Sequence, residues 1–255
     1  MEVHHAHHPA HKKKWSEYFL EFFMLFFAVT LGFFAENQRE HLVESHREKQ
    51  FIQSLYEDLK KDTSMLYILE NYQTIQINKI DTANRIITNA NWNDSTIGLL
   101  YHVNLKTLGN LRLSLNERTS AQLKNSGSMR LIENQEISNK ISEYWELSEV
   151  TKNIGSTTEE LKLRAREKSY AMFDQKYYID VTAGTVSKDA RLMTTDKNYL
   201  TEYSNRLNHI RNSMKNVQLP LIIKLNKKAA ELLVALKKEY TLNDYAEVES
   251  IFKKE

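Results

Sequence analysis

The sequence predicts an all-α protein, with an N-terminal transmembrane helix followed by a long-helix antiparallel bundle of about four principal helices. Three observations carry that expectation. Only 2 of the 255 residues are Pro, at positions 9 and 220, and only 6 are Gly, so residues 10–219 contain no proline. Leu, Glu, Lys and Asn are abundant, and a chain so poor in breakers favours long helices. Residues 15–35, WSEYFLEFFMLFFAVTLGFFA, hold seven of the ten Phe and carry one charge after Tyr18, Glu21. Beyond them, apolar residues recur in alternating steps of three and four, the spacing of one helical face.

Eighteen residues in a helix rise about 27 Å, close to the roughly 30 Å of a bilayer's hydrocarbon core. Trp15 and Tyr18 stand where interfacial aromatics belong, next to Lys12, Lys13 and Lys14. A cleaved signal peptide is the rival reading, but its apolar core is shorter and ends in small residues. Here Phe33, Phe34 and Ala35 run into Glu36, Asn37 and Gln38, which favours an uncleaved anchor. The chain therefore divides into a His/Lys-rich cytoplasmic tail (1–14), a membrane helix (15–35), a helical bundle outside the membrane (36–242) and a C-terminal tail (243–255). Orientation rests on clustering: three lysines directly precede the apolar run, whereas Arg39, Arg47 and Lys49 follow it sparsely among Glu36, Glu40, Glu44 and Glu48. That places the N-terminus inside and the bundle in the periplasm of a bacterial cell, with the anchor in the inner membrane.

Residues 1–14 carry three Lys and one Glu, leaving 32 basic and 32 acidic residues afterwards. The balance offers no basic stripe and argues against nucleic acid as a partner. With no cysteine, disulfides, thiol catalysis and Cys-ligated zinc are excluded. His4, His5, His7, His8 and His11 crowd the N-terminal tail, where flexible imidazoles can gather Zn, Ni or Cu weakly; the plainer account is a solvated tail, and no cofactor is expected.

Within the anchor, Glu21, Ala28 and Ala35 recur every seven residues and Gly32 follows Ala28 by four, which puts a carboxylate and three small residues near one face. Small residues let membrane helices approach, and an intramembrane carboxylate points at a partner, so these four are a candidate helix–helix interface; a Glu21 that snorkels to the near interface is the alternative. Past the anchor, residues 37–89 contain neither Gly nor Pro. Ile52, Leu55, Leu59, Leu66 and Leu69 form a bundle or coiled-coil seam that Ile80, Ala83 and Ile87 continue, interrupted by Asp62, Gln73 and Gln76. The seam must be buried against later helices or against a second copy.

The remaining elements follow from caps and breakers. NWNDST at 91–96 ends the long helix, and Asp94 or Thr96 can cap the next, through Ile97, Leu100 and Val103 to a break at Gly109 and Asn110. A helix over about 115–126 stops at Gly127. Asn134 caps a long helix through Ile141, Tyr144 and Trp145 to about Phe173. Residues 175–195 predict a loop with a short extended piece. Asp196 caps a last helix whose Leu200, Leu207, Met214 and Leu221 repeat at seven, with a kink at Pro220.

Two stretches carry a resemblance. The apolar run followed by ENQREHLVESHREKQFIQSLYEDLKKD, and TSAQLKNSGSMRLIENQEISNKISEYW with Leu123, Gly127, Leu131, Ile132 and Asn134, resemble a family of bacterial single-pass membrane proteins of unknown function. The resemblance implies membrane anchoring of a helix-rich domain and supplies no activity.

The chemistry-bearing residues are sparse. His102 and His209 stand alone on predicted helices, and His41 and His46 lie five apart, off one helical face. No phosphate loop, nucleophile elbow or HExxH occurs. The aromatic group Tyr170, Phe173, Tyr177 and Tyr178 can line a ligand cleft or fill a bundle end. The expected function is therefore non-enzymatic: a scaffold or interaction module that associates with itself or with a membrane complex. A sensor-type ligand-binding bundle signalling through a partner is the alternative, and metal handling by the tail a third.

Overall fold

A computed structural model describes residues 14–89, 92–109, 111–180 and 183–242; the histidines of the N-terminal tail and the C-terminal tail from residue 243 lie outside them. The described chain is all-α apart from two short strands. Its helices are α1 (Trp15–Asn89), α2 (Asp94–Thr107), α3 (Arg118–Asn125), α4 (Gln135–Ser169), α5 (Lys197–Ser213) and α6 (Leu219–Glu239). The chain separates into two compact units, residues 1–50 and 51–255.

In the first unit, α1 has one segment long and apolar enough to cross a membrane, and none of it is buried. Phe19, Phe22, Phe26, Phe33 and Phe34 are all at least half exposed. Phe19, Phe23 and Phe27 stack along the helix with ring centroids 4.9 and 5.8 Å apart, the i, i+4 neighbours that helix geometry brings together.

The second unit is a four-membered up-down-up-down bundle whose second member is broken. The seam of α1 is buried by the chain itself: Ile52, Leu59 and Leu66 are fully inaccessible and pack with Ile137, Ile141 and Trp145 of α4 and Ile222, Leu225, Leu232 and Leu236 of α6. A second core joins Ile77, Ile80 and Ile87 of α1 to Leu100, Tyr101 and Val103 of α2, Ala165 of α4, and Leu200, Tyr203, Leu207 and Ile210 of α5. Because the early part of α1 meets the early part of α4 but the late part of the α5–α6 rod, α1 and α4 run parallel and the rod runs against them.

The returning second member consists of α2, an extended link over 111–117 and α3. This corrects the helix expected from about residue 115. Leu111, Leu113 and Leu115 alternate with Arg112, Ser114 and Asn116, and only the leucines pack on the core. An alternation of period two fits an extended chain, which covers about 3.3 Å per residue against 1.5 Å in a helix, so seven residues bridge one core to the other.

Helix boundaries follow side-chain caps. Asn93, rather than Asp94 or Thr96, caps α2: its Oδ1 accepts the Thr96 N–H at 2.9 Å and Thr96 Oγ1 accepts the Asn93 N–H at 3.0 Å, a reciprocal box. Asn134 caps α4 and Asp196 caps α5 as expected. Gly127 takes the left-handed conformation, φ 66°, just past α3. Helix α4 ends at Ser169, short of Phe173, and the loop that follows carries a two-stranded hairpin, β1 (Tyr178–Asp180) with β2 (Thr185–Val186).

The expected kink at Pro220 is a π turn over Met214–Gln218, with the Leu219 N–H bonded to the Met214 carbonyl. Pro220 has no N–H for the Asn216 carbonyl and its ring crowds that turn; widening the turn by one residue relieves both. The insertion also shifts the buried face. Leu200, Leu207 and Met214 are buried at spacings of seven, but the next position is Ile222, not Leu221, followed by Ala229 and Leu236.

Candidate functional site

The two apolar cores are divided by a polar layer, and the functional geometry of the bundle lies there. On α1 the buried residues between the cores are Gln73 and Gln76; on α4 they are Ser148, Thr151, Thr158 and Lys162; on the rod, Gln218 of the π turn. Thr107 of α2, whose carbonyl accepts from Gln76, is buried with them, so two of the polar seam positions legible on α1, Gln73 and Gln76, are one part of a layer that crosses all four members.

Its centre is Gln76. Its Nε2 lies 3.3, 3.1 and 2.9 Å from the carbonyls of Lys106, Thr107 and Gly109 and shares its two protons among the acceptors around it, taking up the C-terminal end of α2. Its Oε1 accepts from Lys162 Nζ at 3.1 Å. Lys162, only 3% exposed, also donates to Glu159 Oε1 at 3.1 Å and to the Gly109 carbonyl at 3.3 Å. Burial lowers the Lys162 pKa below the usual lysine range, with Glu159 acting the other way. Arg166 donates to the Leu108 carbonyl. The four buried side-chain atoms without a hydrogen-bond partner among the described residues are Gln73 Oε1, Thr107 Oγ1, Glu159 Oε2 and Gln218 Oε1, all of them in this layer. Natural cores leave few such atoms, so their gathering in one layer sets it apart from the rest of the bundle.

A second polar station lies deeper in the first core. Asp62, 2% exposed, accepts from the Asn116 N–H at 2.8 Å, Asn116 Nδ2 at 2.9 Å and the Tyr144 hydroxyl at 2.8 Å. One turn earlier, Asp58 Oδ2 accepts from Thr119 Oγ1 at 2.5 Å. These carboxylates hold the extended link and the first turn of α3 against α1. Burial raises the Asp62 pKa, opposed by the hydrogen bonds it accepts, and burial together with Asp62 drives the Tyr144 hydroxyl far above its ordinary range.

Beside the polar layer opens a cleft of about 570 Å³, walled by Tyr72, Gln76 and Lys79 of α1, Lys106 of α2, Arg166 of α4 and Tyr178 of β1, with no carboxylate on its wall among the described residues. Asn104 donates to the Tyr178 hydroxyl at 3.0 Å and accepts from the Tyr203 hydroxyl at 2.5 Å, which fixes the hairpin side. Burial pushes the Tyr178 hydroxyl up to about 12. Burial, and then the neighbouring Lys106 charge, lowers the Lys79 pKa.

The aromatic group splits: Tyr170 and Tyr178 line the cleft, while Phe173, wholly buried, packs edge-on against Tyr101 at 4.8 Å. The His102 Nδ1–H donates to the Gly184 carbonyl at 3.2 Å and ties the hairpin to α2, whereas His209 is exposed. Glu21, Ala28, Gly32 and Ala35 are exposed on α1, within an arc of about 60° by helical periodicity; a Cβ at Gly32 would meet nothing within 4 Å. Among the described residues no three metal-ligating side chains converge. Sequence reasoning missed Lys79, Lys106 and Arg166, which stand in no motif; their convergence depends on α2 folding back along α1.

A comparison with protein-family models, curated proteins and solved structures finds no match for this chain.

Proposed function

We propose that the chain is a membrane-anchored, non-enzymatic helical module of the bacterial envelope, with residues 15–35 in the inner membrane and the bundle in the periplasm. One observation carries the reading: none of the apolar part of α1 is buried, with Phe33 exposed at 74% and Phe22 at 60%. A continuous apolar surface of that size is stable only against lipid or other protein. The buried carboxylates Asp58 and Asp62 accept hydrogen bonds from the extended link and from α3 and so hold the members of the bundle together, which supports a scaffold role. The face of Glu21, Ala28, Gly32 and Ala35 is where the anchor would meet a second copy or a membrane partner.

A reporter enzyme active only in the periplasm, fused after Glu255, is expected to be active in cells. Activity of a cytoplasm-only reporter at that position would instead place the bundle inside and overturn the periplasmic assignment.

A further inference from the structure

The cleft beside the polar layer has the charge and the fixed donors of a ligand site. Lys79 and Lys106 face it from two antiparallel helices, and neither forms an ion pair among the described residues. Other lysines of the bundle, such as Lys140, Lys168 and Lys228, do pair with carboxylates, of Glu136, Glu202 and Glu143, but no carboxylate among the described residues lines this cleft. The C-terminus of α2, worth about half a negative charge, offsets only part of two ammonium groups. Its last carbonyls are moreover already taken by Gln76, Lys162 and Arg166. The two lysines stand on one cleft wall without a counter-ion there, and like charges so placed favour any anion that enters.

The neutral donors are positioned as well. The neighbour of the Tyr72 hydroxyl at 3.0 Å is Gln76 Nε2, a donor and no acceptor, so the hydroxyl proton is left to donate. A Cβ at Gly109 would stand 2.8 Å from that hydroxyl, so the glycine is what lets Tyr72 sit there. The volume suits a small molecule, not a macromolecular segment.

We propose that this cleft binds a small organic molecule bearing at least two anionic oxygen groups, carboxylate or phosphate, held by Lys79 and Lys106 with Tyr72 as a neutral donor. The inference concerns the bundle alone and goes beyond the anchoring reading, so a failed topology assay leaves it standing.

The test is isothermal titration of the full chain in neutral detergent with sodium citrate and, separately, sodium pyrophosphate, at constant ionic strength. Saturable one-site binding is expected for at least one probe, citrate alone marking a carboxylate ligand and pyrophosphate alone a phosphate ligand. Lys79→Gln and Lys106→Gln should each weaken it by about tenfold or more, the usual loss for a contact to a charged group. The double variant should lose binding while melting at or above the wild-type temperature, because two like charges on one wall are gone. No saturable binding of either probe at millimolar concentrations, or binding that the double variant retains, would overturn the proposal.

Discussion

Replacing Lys162 by Met lowers the stability of the bundle by about 3–5 kcal/mol, the scale for breaking a buried ion pair from one side. The loss has three sources: Glu159 keeps its charge without its cation, Gln76 Oε1 loses its donor, and the Gly109 carbonyl loses one of two. Chemical denaturation of the full chain in detergent reads the change. Adding Glu159→Leu to Lys162→Met should restore most of it, because removing both charges removes the desolvation cost along with the attraction. A double variant no better than the single would mean that Glu159 is not the group left stranded.

The pH dependence of the difference has a definite sign. The folded-state pKa of Lys162 lies below its ordinary 10.5. Between those two values the unfolded chain therefore binds more protons than the folded one, and the Lys162 contribution grows as pH rises through that window. The gap between wild type and Lys162→Met should widen from neutral toward alkaline pH.

Asp62→Ala is expected to cost about 3–5 kcal/mol, since it leaves the Asn116 N–H and the buried Tyr144 hydroxyl without their acceptor. Tyr144→Phe, which removes one donor and leaves the carboxylate its other two, should cost only about 1 kcal/mol. Hydrogen exchange at the Asn116 amide gives a local reading: exchange should accelerate in Asp62→Ala and hardly change in Tyr144→Phe. The raised pKa of Asp62 means that its contribution is complete below the ordinary value near 3.8 and declines as pH rises through the folded-state value. The penalty of Asp62→Ala should therefore be largest in acid and smaller at neutral pH. A penalty below 1 kcal/mol at every pH would show that the extended link is held by its leucines alone.

The helical architecture was legible because its signals are local. Asn134, Asp196 and Gly127 announce their helix ends through one or two backbone bonds each, and the α1 seam announces itself through spacing. The errors have equally definite causes. The alternation of Leu111, Leu113 and Leu115 was present in the sequence, but the break at Gly109 and Asn110 drew attention to a helix start beyond it. At Pro220 the sequence signals a defect without saying whether the helix bends or widens, and only the widened form moves burial from Leu221 to Ile222. The candidate site was legible only in part: Gln76 stood out at a seam position and Tyr170 and Tyr178 as aromatics able to line a cleft, but its lysines did not. Lys79 and Lys106 lie 27 residues apart, and they share a cleft because Gln76 secures the end of α2 against α1, a tertiary contact with no local signature.

The central claim, that residues 15–35 anchor the chain in a bilayer, is tested most directly by alkaline carbonate extraction of membranes from cells making the full chain. The account predicts that the protein stays in the membrane pellet with its N-terminus intact, and that Phe26→Lys with Phe27→Lys, each costing roughly 2.5–3.5 kcal/mol near the bilayer centre, moves it to the supernatant. Recovery of the unsubstituted chain in the supernatant, whole or cut just after Ala35, would contradict it.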